Sequence, residues 1–195
     1  FKINKLKKIG RAKLIIANKK ALSIGFDKYK TANFLKEFDF PYPYTHLTKN
    51  FQFNKLPVIM KSRSGSGSSS IILINNKFDY EFYRLKNPEY IVQEFLDDEN
   101  GEFTCGLFRG QYGEIRSITF RRELSGGYSS YGEVIEQTDV TELLNNLAIQ
   151  LNLRGSINIQ LRVTNKGPVV FEINPRFSST VLFRHMLGFK DLEWS

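Results

Sequence analysis

Across residues 156–163 apolar and polar side chains alternate without a break. Ile157, Ile159, Leu161 and Val163 fall on one parity, and Ser156, Asn158, Gln160 and Arg162 on the other. A period of two marks a strand with one buried face. Asn165-Lys166-Gly167 then offers a hairpin loop with glycine where a left-handed residue is wanted, and 169–173 reads as the returning strand. A loop over 165–167 sets Val163 opposite Val169 and Gln160 opposite Glu172. Gln160, Glu172 and Asn174 then share one face, and the opposite, apolar face belongs to the core.

Upstream, 56–61 and 71–74 read as strands flanking a small polar loop at 62–70, and 90–93 as another. Residues 102–108 and 114–122 supply two more, followed by a Gly/Ser/Tyr loop at 125–130. Spacings of three and four predict a helix from Asp27 through Tyr29, Ala32, Phe34, Leu35 and Phe38, which Pro41 and Pro43 end. Further helices are expected over 78–86, over 140–152 with Thr138 or Asp139 as cap, and over 180–187. Residues 5–25 read as a basic helix, a short strand at 13–17 and a turn. Helices and strands alternating with antiparallel hairpins, without a repeated βαβ unit, predict an α+β fold in two lobes. The acidic turn at 96–101 divides them, which gives the units 26–97 and 98–195 after an N-terminal piece, 1–25.

Composition changes this picture little. A chain of 195 residues with 41% hydrophobic and 25% charged residues is ordinary for a globular protein, and no apolar run is long enough for a membrane span. One cysteine, Cys105, excludes an internal disulfide framework, and His46 and His185 form no metal-ligand spacing. Cys105, in mid-strand, reads as a small buried hydrophobe. The cytoplasm is the expected compartment. The net charge of +8 is concentrated: ten of the 28 Lys and Arg residues lie in 1–30 against a single acid, Asp27. That segment reads either as a solvated helix face or as a polyanion contact.

Candidate chemistry starts with the hairpin. One carboxylate and two amides on a shared face make a patch of hard oxygen ligands suited to magnesium and phosphate oxygens, or simply a solvated strand face. Arg176 follows after Pro175. The loop at 62–70, with Gly65, Gly67 and Lys61 at its edge, either cradles a triphosphate with backbone N–H groups or serves as a flexible connector. It is not a Walker A motif, because no Gly-Lys-Ser/Thr follows the glycines. Gln93-Glu94-Phe95-Leu96 and Glu102 lie where a hinge between lobes can meet a nucleoside.

Taken in order, these pieces resemble a family. Asp27-Lys28 opens a helix, Pro-Val-Ile-Met-Lys precedes the Gly/Ser loop, and then come Ile-Val-Gln-Glu-Phe-Leu, Gly-Glu-Phe-Thr, Asn-Ile-Gln and Phe-Glu-Ile-Asn-Pro-Arg-Phe-Ser. The chain resembles the ATP-grasp superfamily, in particular the ATP-grasp domains of the carbamoyl phosphate synthetase large chain, from about Asp27 to Ser195. The resemblance implies two α+β lobes with ATP between them. It also implies an ATP-dependent ligase that activates a carboxylate as an acyl phosphate for an amine or similar nucleophile.

By the same resemblance Lys28 and Lys61 hold phosphates, and the Gly65/Gly67 loop covers them. Glu94, Phe95 and Leu96 form the adenine hinge, mostly through backbone, and Glu102 grips the ribose. Glu172 and Asn174 ligate Mg2+ (or Mn2+), with Gln160 in or near that site, although many relatives carry a carboxylate there. Arg176 stabilises the transferring phosphoryl group. Apart from the resemblance, Arg121, which abuts the loop at 125–130, is the preferred arginine for a substrate carboxylate, with Arg122 and Arg184 read either as further candidates or as surface groups.

Residues 1–25 are similar to the end of a preceding Rossmann-like domain, and the chain is expected to be a fragment of a longer protein. Expected partners are small carboxylate and amine substrates, with no nucleic acid or membrane partner and a homodimer left open. The competing expectations are an ATP-binding module without ligase activity, and a nucleic-acid-binding protein using the basic N-terminal segment.

Overall fold

The computed structural model describes residues 14–53, 55–65, 71–97, 100–126 and 128–195. The basic helix expected before residue 13 and Gly67 lie outside them. Two helices open the described chain: α1, Lys19–Gly25, and α2, Lys28–Glu37. Asp27 caps α2, accepting from the amides of Tyr29 (3.0 Å) and Lys30 (3.2 Å). Residues 14–17 form no strand, and the turn expected before residue 25 is helix α1. Asn18 ties this segment down by accepting from the Arg154 amide and donating to the Leu151 carbonyl.

Next come strands β1, Thr45–Leu47, β2, Val58–Ser62, and β3, Ile72–Ile74; helix α3, Lys77–Lys86; and β4, Tyr90–Glu94. They form an antiparallel sheet in the order β1-β4-β2-β3. Val58, Met60, Ile74, Tyr80 and Val92 make its core, under α3. Strand β1 was not expected, because three residues after Pro43 carry too short a pattern to read.

The second sheet holds β5, Glu102–Arg109, β6, Ile115–Ser125, β7, Tyr128–Val134, β8, Gly155–Thr164, and β9, Gly167–Asn174, in the order β7-β6-β5-β8-β9. Helix α4, Thr138–Gln150, precedes β8, and α5, Val181–Met186, follows β9. Strand β7 takes up the second half of the loop expected at 125–130. As an edge strand of Ser, Tyr and Gly it lacks the apolar alternation that would have announced it. Helix α4 begins ahead of the expected 140, with Asp139 bonding the Val140 amide from inside its first turn.

One face of this sheet packs against α4 through Phe103, Cys105, Leu107, Ile157, Ile159 and Leu161, with Leu144 and Leu147 opposite. Ala17, Ala21, Phe34 and Leu35 belong to the same core. The first helices therefore pack with the larger sheet, although they precede the smaller one in sequence.

The final hairpin corrects one expectation and keeps another. Its tip is a two-residue turn, with Thr164 opposite Gly167, so Val163 pairs with Pro168 and not with Val169. Gly167 has φ +96, the left-handed conformation that suits it there. A bulge between Leu161 and Gln160 then absorbs one residue, and beyond it Gln160 pairs with Glu172 as expected. The bulge moves Phe171 out of the core, where alternation had put it; Val170 and Ile173 take the core positions.

Candidate functional site

The ladder registers fix which side chains share the polar face of the larger sheet. One row across β8, β5 and β6 reads Arg162, Glu102, Arg122; the next, from β9, reads Glu172, Gln160, Thr104, Phe120; a third begins Asn174, Asn158, Gly106. The face is thus a grid of polar groups over an apolar core. Glu102 is held by both arginines, through Oε1 to Arg122 and at 3.5 Å through Oε2 to Arg162. Oriented to satisfy both neighbours, the Gln160 amide donates to Glu172 Oε2 (3.1 Å) and accepts from Arg122 Nη2 (3.2 Å). Asn174 is buried at the strand end.

Two lysines reach this grid from other elements. Lys28, the first residue of α2, places its Nζ 3.6 Å from Glu172 Oε1 and 2.8 Å from the Gly65 carbonyl. Lys61 lies on the side of β2 away from Val58 and Met60, and its Nζ stands 5.6 Å from the Phe171 ring centre. It is 4% exposed. Burial pulls its pKa down to about 8; Glu172 opposes the shift and Lys28 adds to it. The loop edge is pinned by a pair that sequence reasoning missed. Asp27 caps α2 and also accepts a fork from Arg63, Nη2 to Oδ2 at 2.7 Å and Nε at 2.9 Å to Oδ1. Burial alone raises the Asp27 pKa, but Arg63 and the helix amides outweigh it and hold the value low.

Strand β4 ends at Glu94, whose carboxylate accepts from the Tyr44 amide at 3.1 Å. Phe95 follows, 40% exposed and not in the core. The Leu96 carbonyl accepts from Arg162, another residue that alternation marked only as polar. Gly65 has φ +97, and among the described residues, its chain neighbours aside, no heavy atom lies within 4 Å of where a Cβ would stand.

Several expected residues stand apart from this cluster. Arg121 lies opposite Phe103, a core-face residue, and is exposed; Arg122 has the inward place. A one-residue step on a strand changes face, and adjacency to a loop could not decide between the two. Arg176 is exposed and donates to the Phe177 carbonyl at 2.9 Å. Arg184 is no surface group. It is fully buried, paired with Asp191 at 3.2 Å and stacked near Phe189. Cys105 is buried in the core, and desolvation lifts its pKa to about 12, which leaves the thiol inert.

Among the described residues no group of three or more His, Cys, Asp or Glu side chains could hold a metal. A divalent cation here would rest on the single carboxylate of Glu172, on the amide oxygen of Asn174, on phosphate, and on the Gln160 oxygen once its amide turns from Arg122 toward Glu172. That donor set is all hard oxygen and fits magnesium. No helix among the described residues is long and apolar enough to cross a membrane.

Lys61 from the smaller sheet and Lys28 from α2 thus converge on the polar grid of the larger sheet, within an α+β fold. The chain belongs to the ATP-grasp family, since residues 26–180 match its model, described as an ATP-grasp domain. It is similar to the uncharacterized protein MG011 of Mycoplasma genitalium, 27% identical over 113 residues, which covers 57% of this chain and 39% of that protein. It is also similar to the carbamoyl phosphate synthase large chain, C-terminal section, of Aquifex aeolicus, at 43% over 56 residues, 29% of this chain and 10% of the relative. Among solved structures, the D-alanine–D-alanine ligase of Bacillus anthracis complexed with ATP has a TM-score of 0.72 at 19% identity. The match covers 98% of this chain and 71% of that one, and the likeness is one of fold. The chain spans less than half the length of these curated relatives.

Proposed function

We propose that the chain is the nucleotide-handling part of an ATP-dependent ligase that activates a carboxylate as an acyl phosphate for attack by an amine or similar nucleophile. The observation that carries this reading is the convergence of Lys28 and Lys61 on Glu172, with Gln160 and Asn174 beside it. Two cations and a hard-oxygen patch in one cleft suit a triphosphate better than any neutral ligand. The Glu-Ile-Asn-Pro-Arg string and the glutamine at 160 support a carbamoyl phosphate synthetase-like branch, acting in the cytoplasm.

In this reading Lys28 and Lys61 bind phosphate oxygens, and the Gly65 segment lies over them. The backbone around Glu94, Phe95 and Leu96 meets the adenine, and Glu102 meets the ribose. Glu172, Asn174 and Gln160 would hold Mg2+, which lowers the charge repulsion between the γ-phosphate and an incoming carboxylate. The carboxylate oxygen bonds to the γ-phosphorus as the bond to the β–γ bridging oxygen breaks and ADP leaves. The nucleophile then adds to the acyl carbon and phosphate departs. Lys61 and Arg122 are the cations that would offset the charge that develops.

The test is thermal unfolding with and without magnesium and a non-hydrolysable ATP analogue, on the wild type and on Glu172→Ala. Ligand at about a hundred times its dissociation constant adds about 2.7 kcal/mol of stability. The expected result is a magnesium-dependent rise that the variant lacks; no rise in the wild type refutes the nucleotide site.

A further inference from the structure

A cavity of about 370 Å3 opens beside the cleft, on the same face of the larger sheet. Its floor, Thr104 and Phe120, continues the row that carries Glu172 and Gln160. Phe183, Met186 and Leu187 line its far side and are 53%, 76% and 58% exposed, a density of bare apolar surface that the nucleotide does not account for. Among the described residues that line it, Arg122 alone is charged, and no acid is present. Arg122 sits where cavity and cleft meet: it bonds Glu102 and Gln160 on the cleft side, while its Nη1 makes a long 3.3 Å bond to Ser129 Oγ.

We propose that this cavity holds the body of the substrate whose carboxylate is activated, and that this body is an uncharged aliphatic or aromatic group. The inference rests on the ligase reading and narrows its substrate. The carboxylate lies against Arg122 Nη1, displacing Ser129, which aims its oxygens along the row toward Glu172. The chain of the acid extends over Phe120 toward Phe183, Met186 and Leu187. A second carboxylate in the substrate would meet no further cation there, and an ammonium group would meet no acid, so both are disfavoured by desolvation. The volume is at the small end for ligand sites, suited to one side chain or a short acyl chain.

The test is calorimetric titration of the chain with straight-chain monocarboxylates from acetate to octanoate, and with dicarboxylates of matching length, with and without magnesium and the ATP analogue. Affinity should rise about fourfold per methylene until the cavity is filled. Dicarboxylates should bind at least tenfold more weakly than monocarboxylates of the same length. Gly132 lines the cavity beside Phe120. Gly132→Leu should therefore weaken hexanoate binding at least tenfold and leave nucleotide binding unchanged. Gly132→Ala, whose Cβ would meet Phe120 at an ordinary 3.5 Å, is the milder control should leucine disturb the fold, with a loss of a few-fold.

Affinity independent of chain length, or hexanoate binding unaffected by either substitution, overturns the proposal even if the nucleotide binds. Chain-length-dependent binding by a protein that ignores the nucleotide supports the cavity's chemistry and overturns the ligase reading instead.

Discussion

Lys61→Met should make the unliganded protein more stable while removing its affinity for nucleotide. Wild-type Lys61 is 4% exposed, and burial lowers its pKa to about 8, against 10.5 for an ordinary lysine. That gap corresponds to about 3 kcal/mol of penalty for keeping the charge in the folded state. The lost contact with the Phe171 ring returns about 1 kcal/mol, so methionine, of similar length, should gain about 2 kcal/mol at pH 7. For a chain of this size that is a rise in Tm of about 4–8 °C. The pH dependence follows from linkage. Below about pH 8 the lysine is charged in both states and the penalty is complete. Between there and 10.5 the folded protein releases its proton first, so wild-type stability climbs and the advantage of methionine shrinks to nothing. Urea unfolding of both proteins at pH 7, 8, 9 and 10 measures this, with analogue titrations alongside. A variant less stable than wild type at pH 7, or a difference that does not change with pH, would refute the reasoning.

Three further outcomes are expected. Asp27→Ala should cost about 1–2 kcal/mol by urea unfolding, because it removes a helix cap and the Arg63 fork together, while Asp27→Asn should keep the cap and recover part of the loss. Since the Asp27 pKa is lowered, this difference should be present at neutral pH and fade as the carboxylate protonates in acid. Asp191→Ala should cost about 3–5 kcal/mol by leaving Arg184 buried without its partner, and Arg184→Met with Asp191→Leu should cost less than that single change. Cys105 should resist iodoacetamide at pH 8 in the native protein and react fully in urea, as read by mass spectrometry.

The hairpin at 155–174 was legible because strict alternation leaves a strand few ways to face a core. The resemblance of Glu172 and Asn174 to known ligands rested on that local string. Even so, the pairing of Gln160 with Glu172 emerged from two departures that offset one another, a shorter tip and a bulge. Nothing in the residues announces a bulge, so the position of Phe171 against Lys61 could not be read. Strands β1 and β7 were hidden because edge strands need no apolar alternation. The preference for Arg121 over Arg122, the role of Arg162 and the Asp27–Arg63 fork escaped the sequence for one common reason. Their roles arise from partners 36 to 66 positions away or on a neighbouring strand, and local spacing carries no record of either. Arg184 shows the reverse: a lone arginine on a short helix looks like surface until tertiary packing buries it with Asp191.

The bulge that carries Phe171 has a consequence for how this cleft can change over time. Removing that one residue would leave Val170 opposite Leu161 and Glu172 opposite Gln160 in an uninterrupted ladder. Phe171 is therefore an optional inset: its size and character can vary, or it can be deleted, without re-threading the strand that presents the acid. The wall beside Lys61 and the carboxylate of Glu172 are neighbours in sequence that can change separately, so this hairpin can trade one surface facing Lys61 for another and keep the same acid in place.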